Sequence, residues 1–383
     1  MRFQKKAVIT VASSHALHDI FTSFFAPLIP LLSEKLGFSY ATAGILAVVP
    51  KAPALLNPFF GYIADKLIIK WFLILSPLIS ILAMGLLGIA PSITVLAVLL
   101  LITGFSGAIY HVSAPVIMRA VSGNKIGTGM SFFMFGGELA RTLGPLLIIS
   151  AISMWGLDGT YKLIPLGIIA TTILYFQVRK LPDVRPHKQK DNPTREPIFD
   201  AIKQMKSLFI IIVPMLLFRA FSKTALTTFL PSYLVAQGMS VTKAGYSLAL
   251  LEIFAAIGTL MAGSLSDKFG RKRIVVLIMA ITPILMYSFT ITAGLIQMIL
   301  IGAMGLVFFA SAPVFMAMVN DMNSNYPSLA NGLYMMSSFA MSSIVSLLIG
   351  YWGDWYGLKI TYQITAILSI GALPFALMIK ETK

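Results

Sequence analysis

Two stretches of this chain, 71–118 and 274–320, contain no Asp, Glu, Lys or Arg. A helix that crosses a bilayer needs about 20 apolar residues. Each stretch is too long for one crossing and suits two joined by a short turn. A soluble domain carries about 25% charged residues; here 11% are charged and 57% hydrophobic, and mean hydropathy is +0.87. In hydrocarbon, backbone N–H and C=O groups must be paired inside the helix or in a closed barrel. Unbroken apolar runs of this length read as helices, so the expected fold class is an all-α membrane protein.

Polar turns at 90–92, 122–124, 156–159 and 292–294 divide the apolar sequence. Twelve transmembrane helices are expected, near 7–32, 41–63, 71–90, 94–118, 127–151, 161–178, 207–234, 242–262, 274–292, 295–319, 330–351 and 360–379. The basic start, with Arg2, Lys5 and Lys6, is like the charged region of a signal peptide, but the apolar segment behind it is too long and further spans follow. It reads as a retained first helix.

The net charge of +15 is explained by where the cations lie. With the N-terminus inside, twenty-one Lys and Arg fall on the cytoplasmic side, among them Arg119, Lys125, Lys272, Arg273 and the run from Arg179 to Lys206. Only Lys35, Lys162, Lys243 and Lys359 fall on the other side. That asymmetry orients a multi-pass protein with both termini cytoplasmic; the expected location is a cell membrane, of prokaryotic inner-membrane type. The asymmetry replaces the nucleic-acid reading that a basic soluble protein would invite. The absence of cysteine excludes disulfides and thiolate sites.

The chain also repeats itself. Gly61-Tyr62-Ile63-Ala64-Asp65-Lys66 recurs as Gly263-Ser264-Leu265-Ser266-Asp267-Lys268, 202 residues later. Ser113-Ala114-Pro115-Val116 recurs as Ser311-Ala312-Pro313-Val314. Pro30, Gly37, Ser39 and Gly44 match Pro231, Gly238, Ser240 and Gly245 at an offset of 201. Six spans in each half would start both halves on the same side. The expectation is two parallel, pseudo-symmetric six-helix halves, 1–178 and 207–383, joined by a proline-rich cytoplasmic linker at 179–206.

These features resemble the major facilitator superfamily, whose best-known signature is a G-x-x-x-D-K turn between helices two and three and again between eight and nine. The second copy continues through Phe269-Gly270-Arg271-Lys272-Arg273, close to the full pattern; the first has Ile68 and Ile69 where Gly and Arg are usual. The resemblance covers the whole chain and implies transport by alternating access about a site between the halves. Ser14-His15 with Asp19, Tyr110-His111 with Pro115, and Phe135-Gly136-Gly137 with Gly144-Pro145 are similar to the fosmidomycin resistance family of drug exporters. That family usually has His-Pro-Glu in helix four, where this chain has His111-Val112-Ser113, and a Gly-Gly after the Gly-Pro of helix five, where it has Leu146-Leu147. The resemblance implies export of a small organic compound coupled to protons.

Ionisable side chains inside a bilayer are costly and are retained for function. His15, His18 and Asp19 lie at i, i+3 and i+4, on one helical face. Proton coupling is expected there, with Glu138. The bland alternative has the imidazoles bonded to backbone carbonyls. A metal held by two nitrogens and one oxygen, or an H-x-x-x-D acyltransferase dyad, is the lesser reading, and no metal is expected. Substrate binding is expected at Arg219, Lys223, Arg141, Lys51, Glu252 and His111. Lys51 and Glu252 occupy matching places in the two halves with opposite sign, and His18 matches Arg219. Glu138 and Arg141, at i, i+3, also read as an internal ion pair. Four fixed cations against three anions favour an anionic or amphiphilic substrate.

A cytoplasmic gate is expected at Gly61, Asp65, Lys66, Gly263, Asp267, Lys268 and Arg271. The carboxylates would face a helix N-terminus, and the cations would pair with acidic ends such as Asp321. No G-x-x-x-x-G-K-[ST] loop is present. The reading is therefore a monomeric secondary transporter rather than an enzyme, without cofactor or nucleic-acid partner, whose partners are its small-molecule substrate, protons and the lipid bilayer. A proton-coupled uptake permease for an organic anion and a lipid flippase remain alternatives.

Overall fold

A computed structural model describes residues 3–57, 60, 69–123, 125–183, 198–320 and 327–379. Those residues are helical throughout, with short turns and no strand. Ten helical stretches among them are long and apolar enough to cross a membrane. The helices are α1 Lys5–Thr22, α2 Phe25–Leu36, α3 Tyr40–Val48, α4 Phe72–Gly85, α5 Ile93–Ser122, α6 Ile126–Trp155, α7 Leu163–Val178, α8 Ile198–Thr224, α9 Leu230–Ala236, α10 Val241–Phe269, α11 Arg271–Ile291, α12 Gly294–Phe308, α13 Ser311–Asn320, α14 Pro327–Ser369 and α15 Ala372–Leu377.

These ten stretches are consistent with the twelve expected spans. The span expected at 41–63 begins as the shorter apolar helix Tyr40–Leu56. The last two expected spans are one continuous stretch, bent where Gly357 takes φ 75°. Several spans are interrupted for identifiable reasons. α1 gives way to α2 at Ser23 and Phe24, whose N–H groups bond back to the carbonyls of Asp19 and Phe21, both at 3.1 Å. α3 tightens into the 3₁₀ helix Val49–Leu56, which contains Pro50 and Pro53; proline has no N–H to donate to an α ladder. Between α8 and α9 the turn Ala225–Phe229 is π-helical. The Tyr362 hydroxyl donates to the Ala225 carbonyl in that turn at 2.6 Å.

The sequence repeat has a local structural meaning. Gly37 and Gly238 sit at φ 66° and 89°, just beyond α2 and α9. That left-handed conformation is easy for glycine and costs other residues about 1–2 kcal/mol. Ser39 and Ser240 follow as N-caps: each Oγ accepts the N–H three residues on, from Thr42 and Lys243, at 3.4 Å. Gly44 and Gly245 then permit close packing. A Cβ on Gly44 would lie 2.5 Å from the Ser346 carbonyl oxygen, and one on Gly245 would collide with the Ile149 side chain. Each copy thus ends a helix, starts the next and seats it against a neighbour.

The chain divides into two compact units. The first comprises Met1–Phe38, Leu46–Asp191 and Gly238–Ala249, and the second Ser39–Ile45, Asn192–Gln237 and Leu250–Lys383. Each unit so includes a short segment from the other half of the sequence, and the two segments contain the matched Gly44 and Gly245. In the second unit, Asp354 caps the start of α3, accepting from the N–H groups of Tyr40 and Ala41 at 2.8 and 2.9 Å. The first unit's core includes Val11, Leu73, Tyr110, Ala114, Phe133 and Leu174. The second has its own around Met215, Val275, Phe315 and Ala372.

Lipid offers no hydrophobic gain for bringing apolar helices together, so small residues and interhelical hydrogen bonds decide the packing. Gly136 of α6 lies where a Cβ would be 2.6 Å from the Ala12 carbonyl oxygen of α1, and Gly104 of α5 stands at the same distance from the Pro50 carbonyl. Ser14 of α1 donates to the Leu73 carbonyl at 2.7 Å.

Candidate functional site

The first unit brings its intramembrane histidines and acid together. α1 supplies His15, His18 and Asp19, α5 supplies Tyr110 and His111, and α4 and α6 close the sides. The Asp19 carboxylate lies 3.2 Å from His15 Nε2 through one oxygen and 3.9 Å from His111 Nε2 through the other. The i, i+4 spacing in α1 makes the first contact local; the second needs α5 packed against α1.

Ring packing and hydrogen bonds hold the imidazoles in place. His15 stacks on Phe133 with centroids 4.0 Å apart, and His18 stacks on Tyr110 at 4.7 Å. His15 Nδ1 donates to the Phe133 carbonyl at 2.7 Å. Tyr110 donates to Ser14 Oγ at 3.1 Å. His18 shares the face predicted for it, but its Nδ1 bonds Ser80 Oγ at 3.3 Å. Ser80 is linked to Ser106 at 3.0 Å, and Ser106 donates to the Ser76 carbonyl at 2.7 Å. His15 and His18 are buried, while the His111 side chain is 45% exposed. His111 is therefore the open side of the cluster.

α6 forms one wall. Gly137 leaves the room that His15 and Asp19 occupy: a Cβ there would be 2.7 Å from His15 Cε1 and 3.3 Å from an Asp19 oxygen. The next residue, Glu138, forms an ion pair with Arg141 one turn on, as their i, i+3 spacing predicts. The glutamate is nearly covered and the Arg141 side chain 44% exposed. Glu138 Oε2 is buried and has no hydrogen-bond partner among the described residues. The imidazole nitrogens of His15 and His111 and the Asp19 carboxylate have atoms within 4.8 Å of one another.

The second unit places a buried guanidinium on α8. Arg219 is 4% exposed. Its Nε donates to Ser311 Oγ at 2.7 Å, and Ser311 in turn donates to the Phe308 carbonyl at 2.6 Å. The guanidinium carbon lies 4.7 Å from the Phe308 ring centroid and 5.9 Å from that of Phe315. Aromatic faces attract such a cation. Among the described residues no carboxylate comes within ion-pair distance of Arg219. Lys223, one turn further, is half-buried, and its carbonyl accepts from Thr227 at 2.9 Å. Glu252 is buried in α10 of the second unit, and Lys51 is half-buried in the 3₁₀ helix of the first.

Of the predicted cytoplasmic gate, Gly61, Asp65, Lys66, the Asp267 side chain and Asp321 lie outside the described residues, and Gly263 lies within α10. Lys268 is exposed and stands 5.4 Å from the Phe269 ring, and Arg271 reaches Ser266 Oγ at 3.4 Å. Near the linker, Lys70 donates to the Leu181 carbonyl at 3.1 Å and pairs with Asp183 at 2.5 Å.

Sequence reasoning did not single out Ser76, Ser80, Ser106 and the Phe133 carbonyl. Small hydroxyls inside a charge-free run are the available signal for the serines; a backbone carbonyl leaves none. Ser311 does carry a signal, since it opens the repeated Ser-Ala-Pro.

Buried ionisable clusters inside bundles of membrane-length helices define a membrane transporter, not an enzyme. The chain belongs to the major facilitator superfamily, whose model matches residues 11–281 and 212–383. The fosmidomycin resistance protein of Escherichia coli (strain K12) is 23% identical over 370 residues, 94% of this chain and 89% of that one. The multidrug resistance protein MdtG of Rahnella sp. (strain Y9602) is 23% identical over 291 residues, 72% of this chain and 69% of that one. Among solved structures, a bacterial homolog of the human lysosomal transporter Spinster gives a TM-score of 0.79 at 16% identity, covering 98% of this chain and 96% of that one. The D-xylose–proton symporter gives 0.73 at 16% identity, covering 97% and 96%. These two likenesses concern the fold.

Proposed function

We propose that this protein is a secondary active exporter in the cell membrane. Inward proton movement drives out a small amphiphilic or anionic organic compound by alternating access. The carrying observation is the buried His15–Asp19–His111 cluster, open at His111. An imidazole beside a membrane carboxylate, with a second imidazole close by, is the chemistry of a proton carrier. Asp19 and His15 are the coupling groups, with Glu138 a further acid whose ion pair with Arg141 opens during the cycle.

Arg219 recognises the anionic group of the substrate, with Phe308 and Phe315 beside it, and Lys223, Arg141, Lys51, Glu252 and His111 complete the polar lining. The resistance proteins among the relatives support export over uptake. The G-x-x-x-D-K turns act as the cytoplasmic gate, both termini are cytoplasmic and the working unit is the monomer.

The test is flux in proteoliposomes carrying an imposed pH gradient. Asp19→Asn is expected to reduce pH-driven transport to background while downhill exchange of substrate persists. Unchanged pH-driven transport in that variant would remove Asp19 from the coupling role. Accumulation of substrate by intact cells, in place of depletion, would make the protein an uptake permease.

A further inference from the structure

We propose that His15 and Asp19 hold one exchangeable proton between them, carried on His15 Nε2, and that His18 beside them is a neutral imidazole with its proton locked on Nδ1. This deepens the proton-coupled reading above and rests on it for its role in transport. It separates four groups that share one helical face or one pocket into a carrier pair, a fixed neighbour and an outlet.

Hydrogen-bond directions carry the assignment. A carbonyl oxygen only accepts, so the 2.7 Å contact between His15 Nδ1 and the Phe133 carbonyl requires a proton on Nδ1. Nε2 then has two states: a bare lone pair or a second N–H. It lies 3.2 Å from an Asp19 oxygen, off the line of a hydrogen bond, with the ring buried. A lone pair facing a carboxylate, with no hydrogen between them, is repulsive, and low dielectric makes it worse. A proton on Nε2 turns the same approach into an ion pair between imidazolium and carboxylate.

The serine relay settles His18 by the same logic. Ser106 spends its only hydroxyl hydrogen on the Ser76 carbonyl. The Ser80–Ser106 bond must therefore use the Ser80 hydrogen. Ser80 has none left for His18, so His18 Nδ1 is the donor across their 3.3 Å contact. The Nε2 of His18 turns toward Gly107, where a Cβ would lie 3.6 Å away. The relay fixes the tautomer; repulsion between two adjacent imidazolium ions keeps His18 neutral beside a charged His15.

The groups facing His15 are His18 and Asp19 from α1, Tyr110 and His111 from α5, and the Glu138–Arg141 pair from α6; α4 contributes only the serines. Among them Asp19 touches Nε2 directly, and His111, half-exposed and 3.9 Å from the other Asp19 oxygen, is the route by which the proton leaves.

The experiment is ¹⁵N NMR of histidine-labelled protein in lipid nanodiscs, without substrate. The chain has four histidines, assigned by single His→Gln substitutions. His15 is expected to show N–H on both nitrogens at neutral pH and to lose the Nε2 proton first as pH rises. Asp19→Asn is expected to leave Nδ1–H alone. His18 is expected to stay Nδ1–H throughout, and Ser80→Ala to let its Nε2–H form appear. Should Asp19→Asn not fold, Ser80→Ala and the native titration still decide. A neutral His15 protonated on Nε2, a second N–H on His15 that survives Asp19→Asn, or a native His18 in the Nε2–H form overturns the proposal. So does a co-purifying metal whose chelation shifts the His15 signals. These signals are read without flux, so a protein that shows them and transports nothing refutes the antiport and leaves the proton assignment standing.

Discussion

Arg219 is a cation in a place where cations are expensive. It is covered on nearly all sides, and Ser311 with two phenylalanine rings offsets part of its lost hydration. An incoming carboxylate or phosphonate would supply the remainder. A hydrogen bond to a charged group is worth about 1.5–3 kcal/mol, so Arg219→Ala is expected to weaken binding of an anionic substrate roughly 10- to 100-fold. Equilibrium binding to purified protein checks this. Arg219→Lys should rescue little, because an ammonium has neither the Nε–H that meets Ser311 nor a planar face for Phe308. Restoration by Lys would mean that charge alone is read there.

At the scale of the helix, the paired glycines make an ordered prediction. The Gly44 clash is with a backbone carbonyl, that of Ser346, whereas the Gly245 clash is with Cγ1 and Cδ1 of the Ile149 side chain. A side chain can change rotamer and a helix backbone cannot. Gly44→Ala is therefore expected to lower the thermal midpoint more than Gly245→Ala, and equal shifts would refute the packing argument. The π-turn makes a second case. Tyr362→Phe removes the hydroxyl that donates to the Ala225 carbonyl, at a cost of about 0.5–1.5 kcal/mol. Unchanged stability of that variant would show the hydroxyl to be idle.

Over the whole molecule, the sidedness of the Lys and Arg residues is the quantity to test. The chain has no cysteine, so single introduced thiols report topology without background. Lys180→Cys is expected to react with an impermeant thiol reagent only after the membrane is opened, and Lys162→Cys or Lys243→Cys in intact cells. The reverse pattern would invert the proposed orientation. The same scale bears on the two sequence copies: the matched Gly44 and Gly245 lie in Ser39–Ile45 and Gly238–Ala249, the two segments grouped with the unit built mainly from the other half.

Some of this was legible in advance because its cost is local. An apolar run of membrane length can satisfy its backbone only as a helix, so the spans are written residue by residue. The repeat, with Gly37 and Gly238, declares the turns. His15 and Asp19, four apart on a helix, must meet whatever surrounds them, and Glu138 with Arg141 likewise. The interruptions at Ser23 and at the π-turn were not legible, since each depends on a bond from neighbouring turns or from Tyr362. Nor was the company that the charges keep. His111 meets Asp19, the Phe133 carbonyl meets His15, and Ser311 meets Arg219 only once separate helices pack together. In lipid that packing is decided by where small residues allow backbones to approach, as at Gly136 and Gly137. The sequence alone thus determined that this chain is a duplicated helical membrane protein with charges inside. Tertiary structure decided which partner each charge has, because contacts between helices depend on shape across distances that no local spacing encodes.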